Sequence, residues 1–140
     1  MSAGRGRDRL VVNVDGGARG NPGPAAIAAV LATAEGEVVE ERGERIGEAT
    51  NNVAEYRAML LGLERARSRG AREVELVGDS ELVVRQVRGD YRVKDEALKG
   101  LYAKVVKALA DFDKWSIRHV RREDNAAADE LVNATLDADS

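Results

Sequence analysis

The 140-residue sequence contains no cysteine and only one histidine, His119. The absence of cysteine excludes disulfides, thiolate nucleophiles and zinc sites built on sulfur. With a single histidine, one chain cannot supply a site that needs two or three histidine ligands. Any bound metal ion must therefore be held mainly by oxygen atoms, which favours Mg²⁺ or Mn²⁺.

Long apolar runs are also absent. None approaches the roughly 18 residues that span a bilayer, and the first ten residues, MSAGRGRDRL, lack the apolar core of a signal peptide. We therefore expect a cytoplasmic protein with no membrane partner. The length and the 44% hydrophobic content are those of one globular domain. The small, polar and Arg-rich start predicts a flexible leader over residues 1–9, followed by one domain over residues 10–138.

Net positive charge is lacking as well. The formal net charge is −3, which argues against a nucleic-acid partner because binding to a polyanion usually draws on a basic surface. The charges are unevenly distributed, however. Between Glu35 and Glu48 six acids accompany two arginines, whereas Leu82 to Lys107 contains seven basic residues and three acidic ones. One basic face is therefore expected, and a nucleic-acid partner stays open.

The first half of the sequence predicts three strands and a helix. The stretches LVVNVDGG, AAIAAVLAT and EVVEERGERIG read as consecutive strands, which indicates an antiparallel start. After Thr50 the apolar residues recur at helical spacing. We expect Asn51 or Asn52 to cap this helix and Gly70 to end it.

The second half predicts two further strands and three helices. A strand ends at Asp79, a short helix LVVRQVRG follows, and a longer helix runs from Glu96 to Asp111. KWSIRHV reads as the last strand, and Asp124 is expected to cap a final helix. This order predicts an α/β fold with a mixed five-stranded sheet, three antiparallel strands and then two parallel ones, with helices on both faces.

Several acids lie at the ends of these elements. Asp15 and Asp79 each follow a strand, so both are expected at the carboxyl edge of the sheet, where sites in such folds tend to gather. Glu55 lies in the first turns of a helix. Any one of these acids has an ordinary explanation, because acids favour turns and helix starts. Three more cluster near the start of the last helix: Asp124, Asp129 and Glu130.

The combination is more specific than its parts. The chain contains, in order, the blocks VDGGARGNPGPAA, ATNNVAEYRAMLLGL, ELVGDSELVVRQV and RREDNAAADELVN. These resemble the motif blocks of type 1 ribonucleases H, and the resemblance covers nearly the whole chain after Leu10. It is similar to the short bacterial and archaeal forms, including the domain that some actinobacterial proteins fuse to a phosphatase-like partner. The resemblance implies the ribonuclease H-like fold and an endonuclease that hydrolyses the RNA strand of RNA/DNA hybrids, leaving 5′-phosphate and 3′-hydroxyl ends.

The same resemblance implies the metal ligands. Asp15, Glu55, Asp79 and Asp129 match the four metal-binding carboxylates of the family, which hold two Mg²⁺ ions, with Mn²⁺ as a substitute. Asp15 would bridge the ions, Glu55 and Asp79 would hold the one nearer the leaving group, and Asp129 would hold the one that activates water. Physical chemistry agrees, because four carboxylates in one crevice repel one another strongly unless cations or protons neutralise them.

Substrate contacts are implied in three places. The glycine-rich loop, with Gly16 and Gly17, would approach the RNA minor groove, although a tight turn between strands explains its glycines equally well. Thr50 and Asn51, with Asn21 nearby, match the family's pocket for a DNA-strand phosphate, and helix capping is the alternative. Asn125 is likewise either a substrate contact or a helix-start amide.

The sequence departs from the family pattern near the last helix. The well-known bacterial enzymes have a histidine in the preceding loop, where this chain has RREDN. Arg122 is expected to take that place, by charge or in product release, because a guanidinium cannot act as a base at neutral pH. His119 stays open as the alternative. Further glycines of the family are replaced by Ala26 and Ala28, so packing there is expected to differ.

A long basic, Trp-rich insertion of some relatives is also missing. Weaker and more salt-sensitive binding is expected, through Arg85, Arg88, Arg92 and Lys94. An inactive module that binds hybrid or double-stranded RNA stays a rival, although it has little reason to keep four acids. Another ribonuclease H-like nuclease is the second rival, and the TNNVAEYRA and AAADEL segments argue against it. We expect a monomer whose partner is an RNA/DNA hybrid, with double-stranded RNA as a further candidate.

Overall fold

The computed structural model describes residues 8–138. Most of the expected leader, residues 1–7, lies outside the described residues. Arg9, which the composition places in the leader, instead begins the first strand. The elements are β1 (Arg9–Ala18), β2 (Gly23–Thr33), β3 (Val38–Ala49), α1 (Asn51–Ser68), β4 (Glu73–Gly78), α2 (Glu81–Arg88), α3 (Glu96–Ala110), β5 (Lys114–His119), a 3₁₀ turn (Arg122–Asn125) and α4 (Ala126–Asp137).

The five strands form one mixed sheet in the order β3-β2-β1-β4-β5. The pairs β1–β2 and β2–β3 are antiparallel, whereas β1–β4 and β4–β5 are parallel. This confirms the predicted fold class and the predicted division into three antiparallel and two parallel strands. The central position of β1 places the end of that strand beside the end of β4, where Asp79 follows.

Helices cover both faces of the sheet. On one face, alternate residues of β1 and β2, such as Val12, Val14 and Ile27, pack with α1 in the main core. On the other face, Ala26 and Ala28 are fully buried against Val132 of α4. The alanines that replace the family's glycines thus form the surface on which α4 rests.

Two helix starts differ from the expectation. Thr50, not Asn51 or Asn52, caps α1: its extended backbone lets the hydroxyl accept from the N–H of Val53 at 3.2 Å. Asp124 does not cap α4, because it lies inside the 3₁₀ turn that precedes the helix. The residue that precedes α4 is Asn125, whose side chain makes no capping hydrogen bond.

Gly16 permits a close approach of β1 to α1. A Cβ atom at this position would collide with the carbonyl carbon and oxygen of Ala54. Only glycine fits so close to another backbone, and Glu55 is thereby brought next to the end of β1.

Within residues 8–138, no helix is long and apolar enough to cross a membrane.

Candidate active site

Three carboxylates meet at the carboxyl edge of β1 and β4. Asp15 lies near the end of β1, Asp79 directly follows β4, and Glu55 lies in the second turn of α1. One oxygen atom of each lies within 4.8 Å of the others. Asp15 is 6% exposed and Glu55 5% exposed, while Asp79 is partly buried. The three acids predicted from the sequence therefore form one crevice, although they come from three separate elements of the chain.

Glu55 is held from one side only. Its Oε1 accepts a hydrogen bond of 3.0 Å from the N–H of Gly16. Its Oε2 is buried and accepts no hydrogen bond from any group within residues 8–138. A buried carboxylate oxygen without a partner is unfavourable, and a cation supplies what this oxygen lacks. The donor set, three carboxylates and no sulfur or imidazole, suits a hard divalent cation such as Mg²⁺ or Mn²⁺.

The electrostatics of the crevice agree with such a cation. Burial raises the pKa of Asp15 to about 7, and the charges of Asp79 and Asp129 add to this. A hydrogen bond that the Glu55 carboxyl group donates to Asp15 only when Glu55 is protonated opposes the rise. Burial also raises the pKa of Glu55 well above its ordinary value. The charge of Asp15 adds to that rise, and the N–H of Gly16 counteracts it. Without a cation, the cluster therefore holds protons near neutral pH.

Asp129 lies in the first turn of α4. It lines the same cleft as the other three acids, and the volume of that cleft is about 510 Å³. Asp129 does not belong to the group of three acids whose oxygens lie within 4.8 Å of one another. Arg122 lines this cleft too. The other lining residues are Gly16, Gly17, Ala18, Arg19, Asn51, Asn52, Ser80, Val132, Asn133 and Leu136.

His119 occupies a different groove. It lies at the end of β5 and lines a groove with Arg85, Arg88 and Arg118. Among the described residues, Arg122 and not His119 lines the carboxylate cleft. The geometry therefore favours Arg122 over His119 as the residue next to the acids.

The glycine loop and the start of α1 are joined by amide groups. The Oδ1 of Asn51 accepts from the N–H of Ala18 at 2.9 Å, and the Oδ1 of Asn21 accepts from the N–H of Asn51 at 3.0 Å. Both asparagines are exposed. Within the described part of the chain, neither Nδ2 group donates a hydrogen bond, so two amide donors flank the helix start that Thr50 caps.

Two predicted substrate contacts, Gly16 and Asn125, also make hydrogen bonds inside the protein. Gly16 is buried and its N–H already donates to Glu55, whereas Gly17 is partly buried and lines the cleft. Asn125 is 2% exposed and hydrogen-bonds to Asn13, Val14 and Asp79. Asn13 was not identified from the sequence, although its position two residues before Asp15, on the same face of β1, was a usable signal.

The basic segment that includes α2 is partly neutralised by local acids. Arg85 pairs with Glu81 at 3.0 Å and Arg88 with Asp90 at 3.6 Å. The guanidinium of Arg85 also lies 5.3 Å from the ring centre of the exposed Tyr91. Arg92 and Lys94 are both exposed. This surface therefore combines paired arginines with one exposed aromatic ring.

Comparisons with known proteins agree with this site. Residues 13–135 match the family described as reverse transcriptase-like. Ribonuclease HI of Halobacterium salinarum is 46% identical over 129 residues, which are 92% of this chain and 65% of that protein. Its crystal structure gives a TM-score of 0.91 at 45% identity and covers 93% of this chain and 98% of that one.

Two further relatives are similar in sequence and structure. The bifunctional protein Rv2228c of Mycobacterium tuberculosis is 43% identical over 131 residues, 93% of this chain and 36% of that protein. The structure of its N-terminal ribonuclease H domain gives a TM-score of 0.90 at 43% identity, covering 93% of this chain and 94% of the fusion-derived one. The structure of LC11 ribonuclease H1 in complex with an RNA/DNA hybrid gives a TM-score of 0.88 at 43% identity. The match covers 92% of this chain and 97% of that one.

The chain spans less than two thirds of the length of the Halobacterium and mycobacterial proteins. The matched region nevertheless contains every strand and helix except the first residues of β1 and the last residues of α4. Sequence blocks, sheet order and the clustered carboxylates agree with one another. The chain therefore belongs to the type 1 ribonuclease H family, within the domains described as reverse transcriptase-like.

Proposed function

We propose that this protein is an endonuclease that hydrolyses the RNA strand of RNA/DNA hybrids and leaves 5′-phosphate and 3′-hydroxyl ends. The observation that carries the proposal is the group formed by the buried Asp15 and Glu55 and the partly buried Asp79, in which one oxygen of each lies within 4.8 Å of the others. A fold maintained for binding alone would gain nothing from the electrostatic cost of this group. The hybrid in the LC11 ribonuclease H1 complex supports the class of substrate.

The metal of the site is proposed to be Mg²⁺, two ions per site, with Mn²⁺ as a substitute. The two ions would be held by the carboxylates of Asp15, Glu55, Asp79 and Asp129. When bound, the metal would supply an activated water and stabilise the charge on the leaving 3′ oxygen. The unpartnered Oε2 of Glu55 and the shared cleft of Asp129 support this assignment.

The chain's own groups would orient the substrate. Gly17 offers backbone next to the acids, where the RNA strand must lie for its phosphate to reach Asp15. Thr50, Asn51 and Asn21 are proposed to bind a phosphate of the DNA strand, because two amide groups whose nitrogens donate no hydrogen bond within residues 8–138 flank a helix N-terminus there. We assign Gly16 to packing, since its N–H is used by Glu55.

Arg122 is proposed to assist the reaction by charge. It lines the carboxylate cleft, and its guanidinium stays protonated at neutral pH, so it cannot accept a proton from water. A cation at the rim would attract the scissile phosphate and the phosphate of the product. The basic residues Arg85, Arg88, Arg92 and Lys94 would contact the nucleic-acid backbone further away, with an affinity that falls as salt rises.

The experiment is a cleavage assay with four labelled substrates: an RNA/DNA hybrid, double-stranded RNA, single-stranded RNA and single-stranded DNA. Each is incubated with Mg²⁺, Mn²⁺ or EDTA. We expect internal cuts in the RNA of the hybrid with either metal and none with EDTA. Binding of the hybrid without cleavage would instead identify an inactive module, and cleavage of single-stranded DNA would identify another nuclease of this fold.

The same assay tests the remaining expectations about partners. Cleavage of double-stranded RNA would establish it as a second substrate. The sedimentation behaviour of the protein with and without hybrid tests whether it is a monomer. The cytoplasmic location expected from the sequence stays a prediction.

A further inference from the structure

The side chain of Asn125 is completely engaged inside the protein. Its Nδ2 donates to the carbonyl oxygen of Val14 at 2.9 Å and to Oδ2 of Asp79 at 3.3 Å. Its Oδ1 accepts from Nδ2 of Asn13 at 2.9 Å. Since a primary amide has two N–H donors, both are used, and the residue is 2% exposed. No donor of this amide remains for a nucleic acid.

The orientation of both amides follows from their partners. A carbonyl oxygen and a carboxylate can only accept hydrogen bonds, so the nitrogen of Asn125 must face Val14 and Asp79. Its oxygen then faces Asn13, which must present its own nitrogen. A flipped Asn125 amide would place an oxygen against two other oxygens and would be repelled. Asn13 therefore completes the hydrogen bonding of Asn125 in the one orientation that serves Asp79.

These bonds join the three elements that carry acids at the sheet edge. Val14 precedes Asp15 in β1, Asp79 follows β4, and Asn125 immediately precedes α4, which carries Asp129 four residues later. The carboxylates repel one another at short range. A buried amide that donates to one carboxylate and also anchors the two neighbouring elements opposes their separation.

We propose that Asn13 and Asn125 are positioning residues that hold Asp79 and the start of α4 in register with Asp15 and thereby set the metal affinity of the site. The inference rests on the proposed function, in which these acids bind metal. It replaces the substrate contact that the family resemblance implied for Asn125. Partners that orient metal ligands commonly affect metal affinity about 10- to 100-fold.

The test measures Mn²⁺ binding by isothermal titration calorimetry on the full chain without nucleic acid. Asn125→Ala removes both donors, and we expect Mn²⁺ affinity about tenfold or more below that of the wild type. Asn13→Ala removes one hydrogen bond that acts through Asn125, and we expect a loss of about threefold. Because Asn13 acts through Asn125, the double variant should bind Mn²⁺ about as weakly as Asn125→Ala alone.

Leu131→Ala is the matched control. Leu131 lies on α4 and packs against the cluster of Ala26 and Ala28. Its side chain is apolar and takes no part in the hydrogen bonds of Asn13 and Asn125. This variant should lower the midpoint of thermal unfolding and leave Mn²⁺ affinity unchanged. It separates a loss of stability from a loss of ligand position. If Asn125→Ala does not fold, Asn13→Ala, at a partly exposed strand position, decides the question against the same control.

A second readout uses the hybrid. If the defect lies in metal affinity, a higher Mn²⁺ concentration should restore cleavage by Asn13→Ala, whereas a general packing defect would not respond. Wild-type Mn²⁺ affinity in both folded alanine variants would overturn the inference, and so would an equal loss in Leu131→Ala. A wild-type protein that binds Mn²⁺ but does not cut hybrid would overturn only the proposed function. Absence of Mn²⁺ binding to the wild type would overturn both.

Discussion

Two acidic sites in this molecule behave in opposite ways. Glu40 in β3 accepts hydrogen bonds of 2.8 Å from Nε of Arg65 in α1 and from Nε of Arg69, which follows the end of that helix. Burial by itself would raise the pKa of Glu40, but the two guanidinium groups outweigh that effect and hold the pKa below the ordinary value. Asp15, in contrast, has no salt bridge among the described residues, and burial raises its pKa to about 7.

The difference separates an acid that the fold neutralises from acids that it leaves for a ligand. The charge of Glu40 is balanced by two arginines about one helical turn apart, so β3 and the end of α1 are tied together without outside help. In the crevice of Asp15, Glu55 and Asp79, by contrast, no basic side chain among the described residues pairs with the three acids. One Glu55 oxygen there also accepts no hydrogen bond within residues 8–138. The first arrangement stabilises the fold, and the second supports binding of a cation.

The largest expected effect compares one residue from each site. Asp79→Asn should reduce hybrid cleavage by about a hundredfold or more, since metal-ion catalysis contributes several kcal/mol to the transition state. Glu40→Gln should leave the cleavage rate near that of the wild type at a temperature where it is folded. The measurement is the initial rate with Mg²⁺, and circular dichroism checks folding. Full activity of Asp79→Asn would refute the assignment of the site.

The second effect is a pH dependence of stability without metal. The pKa of Asp15 rises from about 3.8 in the unfolded chain to about 7 in the fold, so the unfolded state loses its proton first as pH rises. Folding stability of the wild type in EDTA should therefore fall between about pH 4 and pH 7 relative to Asp15→Asn, by about 2 kcal/mol or more.

Urea unfolding of both proteins at pH 5 and pH 8 measures this difference. Saturating Mg²⁺ should restore stability to the wild type at pH 8 through binding to the folded state. The same addition should have a much smaller effect on Asp15→Asn. A stability difference that does not change between the two pH values would contradict a raised pKa of Asp15 in the folded protein.

The third effect concerns the neutralised acid. Glu40→Gln should destabilise the fold by about 1–2 kcal/mol at pH 7, because the neutral amide keeps one acceptor oxygen, removes the charge from that hydrogen bond and loses the other. The lowered pKa of Glu40 means that its contribution is present above its ordinary pKa and is lost as pH falls through the lowered one. The difference between Glu40→Gln and the wild type should therefore shrink in acid. Urea unfolding at pH 7 and pH 3 measures it, with Glu44→Gln, an exposed position on the same strand, as control.

The smallest effect is expected at Arg122. Arg122→Ala should lower hybrid cleavage by less than about tenfold, since a cation at the rim assists by charge only. Arg122→Lys should recover most of the loss, and the effect should weaken at high salt. His119→Ala, in the other groove, should cleave like the wild type. A larger loss in His119→Ala than in Arg122→Ala would reverse the preference for Arg122.

The sequence predicted the parts of the fold that depend on local pattern. Short apolar and β-branched stretches identified the strands, and helical spacing identified α1 and α3. The order of these elements then predicted the mixed sheet with Asp15 and Asp79 at one edge. Helix starts were less predictable: Thr50 rather than Asn51 caps α1, since the choice depends on how the chain arrives and on the bond between Asn51 and Ala18.

The sequence by itself determined which acids belong to the site, because Asp15, Glu55 and Asp79 each occupy a recognisable place in a motif block and at the end or start of an element. Only the tertiary structure decided how they are held. Asn13 and Asn125 are 112 residues apart, and Glu40 meets Arg65 across 25 residues. Such pairs leave no periodic signal, since the contact exists only after the sheet and helices have packed. The surroundings that give Asp15 and Glu40 opposite pKa shifts are likewise a property of the assembled fold.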